Sequence, residues 1–543
     1  MLGRWPKAFF AVVFAISCFT LAQVAQAQNT RPIFLTGKLL GVSPIFQDLP
    51  LVRSPFHGIM PEDNPHPVPF GLNPRAPFDP ALQREVGPLV STTPGKNVLG
   101  LGIGFPGYSV CCVPPDTNAS VGTTQVVETV NLDYEIFTKS TGAAVGSSHS
   151  LASLFSGTSG NCATGFMSDP VVKFDNADGR WVITFLAATS NPGAPLGVSK
   201  PFLQCFAVSK TSDATGSYFL YAFDVSSLGG VDTALNDYPK LGVWPDAYYE
   251  SFDEFDAKTT AYDGNSPCAF QSSVMITGGA HPGSVCFLPI GTEFALLPSD
   301  LDGPTPPASG TPDFYVGSPD GSSHFNIWKF HVDFVTPSLS TFTGPTTLTT
   351  SPYSFACGGG VCIKQPSPGE LLDSLGNRLM FRAAYRNFTG TGAHEVIVVS
   401  QSVVAGSSTG IRWYEIRGLS TTPTIFQQGT WAPDSKFRWM PSIGMDKVGD
   451  IALGYSVSST TTDPSVRYTG RVPGDAKGKM ESEKTIVKGT GVQEASGHRW
   501  GDYSSMAIDP SNDCTFWYAQ EYIKTSATAW STRLASFAFT TCH

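Results

Sequence analysis

The side chains best suited to chemistry stand at recurring points of this 543-residue chain. Asp116, Asp169, Asp237 and Asp502 each open a short β-like run. Tyr238, Lys240 and Tyr503 follow within a few residues, and two Arg-Trp pairs, Arg438-Trp439 and Arg499-Trp500, occupy the same kind of place. Aimed at one mouth, such groups would suit a sugar. Two carboxylates can work as acid and base on a glycosidic bond, a tyrosine can serve as nucleophile, and arginines fork onto anionic groups. The expected acid/base groups are therefore Asp169, Asp237 and Asp502, with Tyr503 as candidate nucleophile. Arg438 and Arg499 would bind anions, Trp439 and Trp500 would stack on sugar faces, and Asp116, Tyr238 and Lys240 would complete the contacts. A competing reading is that these polar groups tie neighbouring sheets together, since Asp before a strand is a common turn residue.

Other motifs fail in context. Gly102-Ile103-Gly104-Phe105-Pro106-Gly107 satisfies a dinucleotide fingerprint, but no helix follows it and no βαβ pattern surrounds it. Gly406-Ser407-Ser408-Thr409-Gly410 satisfies a nucleophile-elbow pattern, yet it joins two strands where an elbow needs a strand-to-helix turn. The nine histidines are scattered, so no cofactor and no histidine metal centre is expected. The acidic loops 253–256 and 509–513 could hold calcium through oxygen ligands or be solvated turns.

Positioning these residues falls to many short strands. From Asp116 onward, β-branched and aromatic runs alternate with Gly, Asp, Asn, Ser and Pro clusters, the pattern of antiparallel strands. A strand, turn, strand unit recurs at 169–185, 440–455 and 502–518. Third strands are expected at 134–139, 327–332 and 412–417. Repeated four-stranded sheets define a β-propeller. The fold expected is an all-β single propeller of six or seven four-stranded blades over 116–543, seven preferred, with starts near 116, 169, 237, 300, 367, 439 and 502. A tandem of β-sandwiches is the alternative. Residues 28–115 carry 16 of the 43 prolines and should form an irregular arm, because proline removes backbone donors.

Composition limits the rest. Charged residues make up 14 %, aromatics 12 % and the net charge is −10, which excludes disorder and argues against a nucleic-acid partner. Residues 1–27 read as a signal peptide, with Arg4 and Lys7 before an apolar stretch and Ala25-Gln26-Ala27 before the cut. The mature chain should be secreted or periplasmic, without a membrane span, and monomeric, with glycans as the candidate partner. Ten cysteines remain after Cys18, an even number that suits disulfides in an exported chain. Proximity suggests Cys162–Cys205, Cys268–Cys286, Cys357–Cys362 and Cys514–Cys542. A bond between adjacent Cys111 and Cys112 would be strained, so at least one of them is open to pairing elsewhere.

Some segments resemble known families. Ser168-Asp169-Pro170, with the Gly turn and aromatic strand that follow, resembles the opening of arabinanase-like propeller glycosidases, which implies a general-base role for Asp169. Those enzymes are five-bladed, and this chain is longer. Asp178-Gly179-Arg180-Trp181 is similar to the sialidase Asp-box but lacks its Ser and Thr, and only two arginines stand where sialidases use three. Residues 115–119, 237–249 and 499–505 resemble more closely a group of secreted bacterial propeller proteins of unassigned activity. That likeness spans most of the mature chain and implies the fold, not a reaction.

Overall fold

The computed structural model describes residues 31–52, 58–59, 78–229, 234–291, 293–319, 323–527 and 529–543. The expected signal segment, 1–27, lies outside them. The described chain is mostly β, with only short helical turns such as Leu151–Leu154 and Ser272–Met275. One arrangement repeats along it: antiparallel strands in sequence order, beginning from a first strand. These first strands are β1 (Asn118–Val121), β2 (Phe166–Asp175), β3 (Ala234–Trp244), β4 (Leu297–Asp302), β5 (Met380–Phe388), β6 (Phe437–Met445) and β7 (Ser505–Ile508). Each touches the next, and β7 touches β1, so the first strands close into a ring. Within the ring β4 and β5 also pair in parallel, Ser299 opposite Ala383, which merges their two runs into one sheet. A closed ring of radially repeated sheets is a β-propeller-like arrangement.

Stacking the sheets buries both faces of the inner strands, which is why they read as nearly continuous apolar runs. The Arg180–Ser190 strand shows this. Trp181, Ile183 and Phe185 pack with Tyr134 and Ile136 of the preceding run, whereas Val182, on the other face, packs with Tyr248 and Phe252 of the following one. Side-chain alternation in a strand requires this split, and each such burial is worth roughly 1.5–3 kcal/mol. The turn before this strand is closed by Asp175, whose Oδ1 accepts from the backbone N–H of Ala177 and Asp178 (3.0 and 3.1 Å).

The Pro-rich stretch differs from the irregular arm expected of it. Its described residues donate strands to the sheet edges. Ile33–Thr36 pairs with Gly283–Cys286, Lys38–Val42 with Tyr218–Asp224 and Leu82–Gln83 with Thr424–Trp431. Thr92–Gly102 pairs with Ser531–Phe539 and so completes the last sheet with a strand from the other end of the chain. Proline governs a donor and a φ angle, but it does not prevent the residues between prolines from pairing at an edge. The fifth run also starts later than expected, at Met380 and not near 367, because a long loop over 350–379 precedes it.

Five disulfides brace the sheets: Cys162–Cys205, Cys268–Cys286, Cys357–Cys362, Cys514–Cys542 and the adjacent pair Cys111–Cys112. The last settles the pairing left open for Cys111 and Cys112, since the other eight cysteines are already matched. Such a set suits an oxidising, extracellular environment. Among the described residues, no helix is long and apolar enough to cross a membrane.

Candidate functional site

The first strands enter the ring through a repeated local strain. Asp116, Asp169, Tyr238, Ala295, Met440 and Asp502 hold φ between 50 and 57°, in the left-handed region that costs an L-residue roughly 1–2 kcal/mol. Asp116, Ala295 and Asp502 stand two or three residues before a first strand, and Asp169, Tyr238 and Met440 stand inside one, near its start. In β2, β3 and β6 the register also slips there, between Ser168 and Val171, Asp237 and Lys240, and Trp439 and Ser442. Bulges of this kind re-aim side chains.

The result gathers most of the expected residues at one end of the ring. Asp169 Oδ2 accepts from the Tyr238 N–H (3.1 Å), and the Asp169 N–H donates to Asn131 Oδ1 (3.0 Å). Ser168 Oγ donates to the other Asp169 oxygen, and the Asp116 carboxyl feels the charge of Asp169. The Tyr238 hydroxyl donates to the Asp502 carbonyl (2.9 Å) and the Tyr503 hydroxyl to the Pro170 carbonyl (3.2 Å). Lys240 Nζ lies 3.1 Å from the Tyr238 ring centre and 4.4 Å from that of Tyr503. Arg499 is ion-paired with Asp502. Asp237 sits at the edge of the group, half-buried, its Oδ1 accepting from the Tyr238 N–H (3.0 Å).

This end is closed. Asp116, Asp169 and Asp502 are 1, 6 and 3 % exposed, and Tyr238 and Tyr503 are fully buried. Loops 350–379 and 488–504 join beside the cluster, where Gln493 and Gln365 exchange two hydrogen bonds (both 2.9 Å) and the Ser496 N–H donates to Glu370 (2.7 Å). Burial, and then the charges of Asp502 and Asp169, push the Asp116 carboxyl well above the usual carboxylate range, with Arg499 opposing. Burial and the neighbouring carboxylates likewise drive the Tyr503 phenol up. That is the opposite of the activation a nucleophile requires.

Three expected ligand contacts lie elsewhere. The Arg438 guanidinium donates to Glu483 (3.0 and 2.9 Å) and Asp434 (2.8 Å) in its own run. Trp439 and Trp500 pack on each other at 5.3 Å, both fully buried, so neither offers a sugar a face. Two members of the cluster carried no sequence signal. Glu521, inside the Thr515–Tyr522 strand, is buried beside Asp502, and burial pushes its carboxyl well up. Arg378 lies at the end of the loop before β5, 4.7 Å from the Tyr238 ring centre and 4.0 Å from that of Phe294. Glu521 comes from outside the repeated strand openings, whereas Arg378 stands two residues before β5.

The other end of the first strands is built differently. Arg382 donates to Asp300 Oδ2 and Asp302 Oδ2 (both 2.6 Å) and to the Met506 carbonyl (2.8 Å). Lys173 is ion-paired with the same Asp300, and Arg386 clasps Asp513 through two bonds (2.7 and 2.6 Å). A solvent-open recess sits here, lined by residues of β1, β2, β4 and β7 and the turns that follow them. The 509–513 loop, a candidate for calcium, has its carboxylates turned to Lys139 (2.8 Å) and Arg386. The other segment, 253–256, is no loop but the end of the Ala247–Asp256 strand, where Asp253 accepts from Asn265 Nδ2 (2.8 Å) and the Ala295 N–H (3.1 Å). Among the described residues, no group of three or more His, Cys, Asp or Glu is placed to hold a metal ion. Ser408 lies on a hairpin, opposite Ala405, as its strand-to-strand context implied.

No protein-family model and no curated protein matches the chain. Among solved structures it is similar to an exo-β-1,3-galactanase from Clostridium thermocellum, at 9 % identity over 79 % of this chain and 87 % of that one, TM-score 0.30. It is also similar to the WD40 domain of SCAP from fission yeast, at 9 % identity over 77 and 82 %, TM-score 0.32. An ulvan lyase of a polysaccharide-lyase family matches at 11 % over 76 and 92 %, TM-score 0.33. At such scores the likeness carries no argument, and the architecture rests on the sheet order and the ring of first strands.

Proposed function

We propose that the chain is an exported β-propeller of seven blades, one for each first strand, that binds a ligand without hydrolysing it and works as an extracellular interaction protein. The observation that carries this reading is the closure of the opening end. Acid/base catalysis on a glycoside needs two carboxyl groups flanking the scissile bond, about 5–10 Å apart, with room for the sugar between them. Asp116 and Asp169 instead lie buried together, the charge of Asp169 acting on the Asp116 carboxyl, and the tyrosine expected as nucleophile donates to a backbone carbonyl. Their arrangement suits a fastening between first strands: Asp169 of β2 holds the backbone of β3, and Tyr238 of β3 holds the residue before β7. The alternative, hydrolysis of extracellular carbohydrate by Asp169, Asp237 and Asp502, requires the loops beside this end to part. A panel of natural and chromogenic glycans incubated with wild type and Asp502→Asn separates the two. No product from either protein is expected. Turnover by wild type that Asp502→Asn abolishes would overturn the non-catalytic reading.

A further inference from the structure

The recess at the closing ends of the first strands has a chemistry of its own. Its floor carries Lys173 and Asp300, and Asp302 lies on its wall. With Arg382 behind them, two positive and two negative charges form one connected chain. The floor is therefore neutral overall, and neither an anion nor a cation gains from it. It still has hydrogen-bonding capacity in both directions. Lys173 has three N–H donors and gives one to Asp300. Asp302 gives one carboxylate oxygen to Arg382, and its side chain is 11 % exposed. Asn176 adds an exposed amide at the rim, and Phe174 and Ile508 supply an apolar side.

Size narrows the occupant further. The recess has a volume of about 30 Å³, room for about two waters. A whole sugar ring does not fit, but two adjacent hydroxyl groups do. One hydroxyl can donate to Asp302 while its neighbour accepts from Lys173, and the C–H edge of the ring rests on Phe174. We propose that this recess is a binding site for the terminal vicinal diol of a neutral sugar. The assignment rests on the binding-protein reading above and names the ligand class and the end of the ring it meets.

The test uses saturation-transfer NMR and calorimetry with methyl glycosides of neutral pyranoses, and with galacturonate and glucosamine as charged counterparts. Neutral glycosides should bind the wild type weakly but better than either charged sugar. Asp302→Asn leaves the floor net positive and should shift preference toward galacturonate by about five-fold or more. Asn176→Ala, at an exposed position, should weaken neutral binding by about three-fold with unchanged melting. Equal or tighter binding of galacturonate to wild type, no shift in preference with Asp302→Asn, or no binding of any glycoside would each overturn the assignment. Product formation in the same tubes would overturn the non-catalytic reading while leaving the recess in place, so the two failures are distinguishable.

Discussion

The two ends of the first strands use carboxylates in opposite ways. At the opening end Asp116, Asp169 and Asp502 crowd together with Glu521 nearby, and burial pushes Asp116 and Glu521 toward their neutral forms. At the closing end burial also opposes the charge of Asp300, yet Lys173 and Arg382 hold its carboxyl below the usual range. At Asp300 two cations together outweigh burial, whereas at Asp302 burial still holds the carboxyl up against Arg382 and Arg386, so the balance of burial and partners decides ionisation site by site. The consequence for function is direct. The end where sequence places most chemistry is closed and fastened, and the end that looks like ordinary turns holds the open, polar recess.

Breaking the closing end should give the largest effect. Arg382→Met removes the shared partner of Asp300 and Asp302 and should cost about 3–5 kcal/mol in denaturant unfolding. A loss under about 1 kcal/mol would show that the ion-paired chain does not hold this end. The next effect is one of sign. Asp116 is raised in the folded state, so the native protein holds a proton that the unfolded chain releases. Its contribution is present below the ordinary carboxylate range near pH 4 and is lost as pH rises toward the raised native value. Asp300 is lowered, so its contribution is present above that range and is lost as pH falls through its native value. Unfolding followed across pH 3–9 should therefore show Asp116→Asn losing part of the wild type's decline toward alkaline pH, with a gain on the order of 1–3 kcal/mol at pH 8. Asp300→Asn should instead destabilise at pH 8 and converge on wild type in acid. Parallel profiles for the two variants would erase the distinction between the ends. Glu128, pushed up to about 8 by burial, adds to the alkaline decline, and Glu128→Gln should remove that share.

A smaller effect tests the strain. Ala295 has φ 54° and only one buried methyl group to lose, worth about 0.8 kcal/mol against the roughly 1–2 kcal/mol of strain relieved, so Ala295→Gly should stabilise by about 1 kcal/mol or less, read as a rise in melting temperature. A clear fall would mean that the left-handed openings are unstrained. Asn176→Ala should leave unfolding within about 0.5 kcal/mol of wild type, which confines its effect to ligand binding.

Much of the fold was legible because it is local. The strand, turn, strand units at 169–185, 440–455 and 502–518 and the third strands at 134–139, 327–332 and 412–417 all fall on observed strands, since alternation and turn residues act within a few positions. Four disulfides followed from short separations, the widest 43 residues. The failures were non-local. Residues 28–115 looked irregular because an edge strand takes its partner from a sheet hundreds of positions away, as Thr92–Gly102 does with Ser531–Phe539. The fifth run was placed too early because an ordered loop can carry the same Gly, Asp and aromatic residues as a strand boundary. The candidate site was half legible: equivalent positions in the repeat do converge, but nothing in their spacing says whether loops will cover them, and Arg438 turned to Glu483 within its own run.

The sequence by itself determined a chain of short antiparallel strands, cross-linked by cysteines and repeating one unit with polar residues at its openings. Hydrophobic alternation and turn chemistry are enough for that, because both act between near neighbours. Only the tertiary structure decided how the ring closes, which end is sealed and which is open. Those outcomes depend on pairings such as Lys173 with Asp300, 127 residues apart, and on two distant loops meeting beside one end. Such contacts are set by packing between sheets, and no local pattern encodes them.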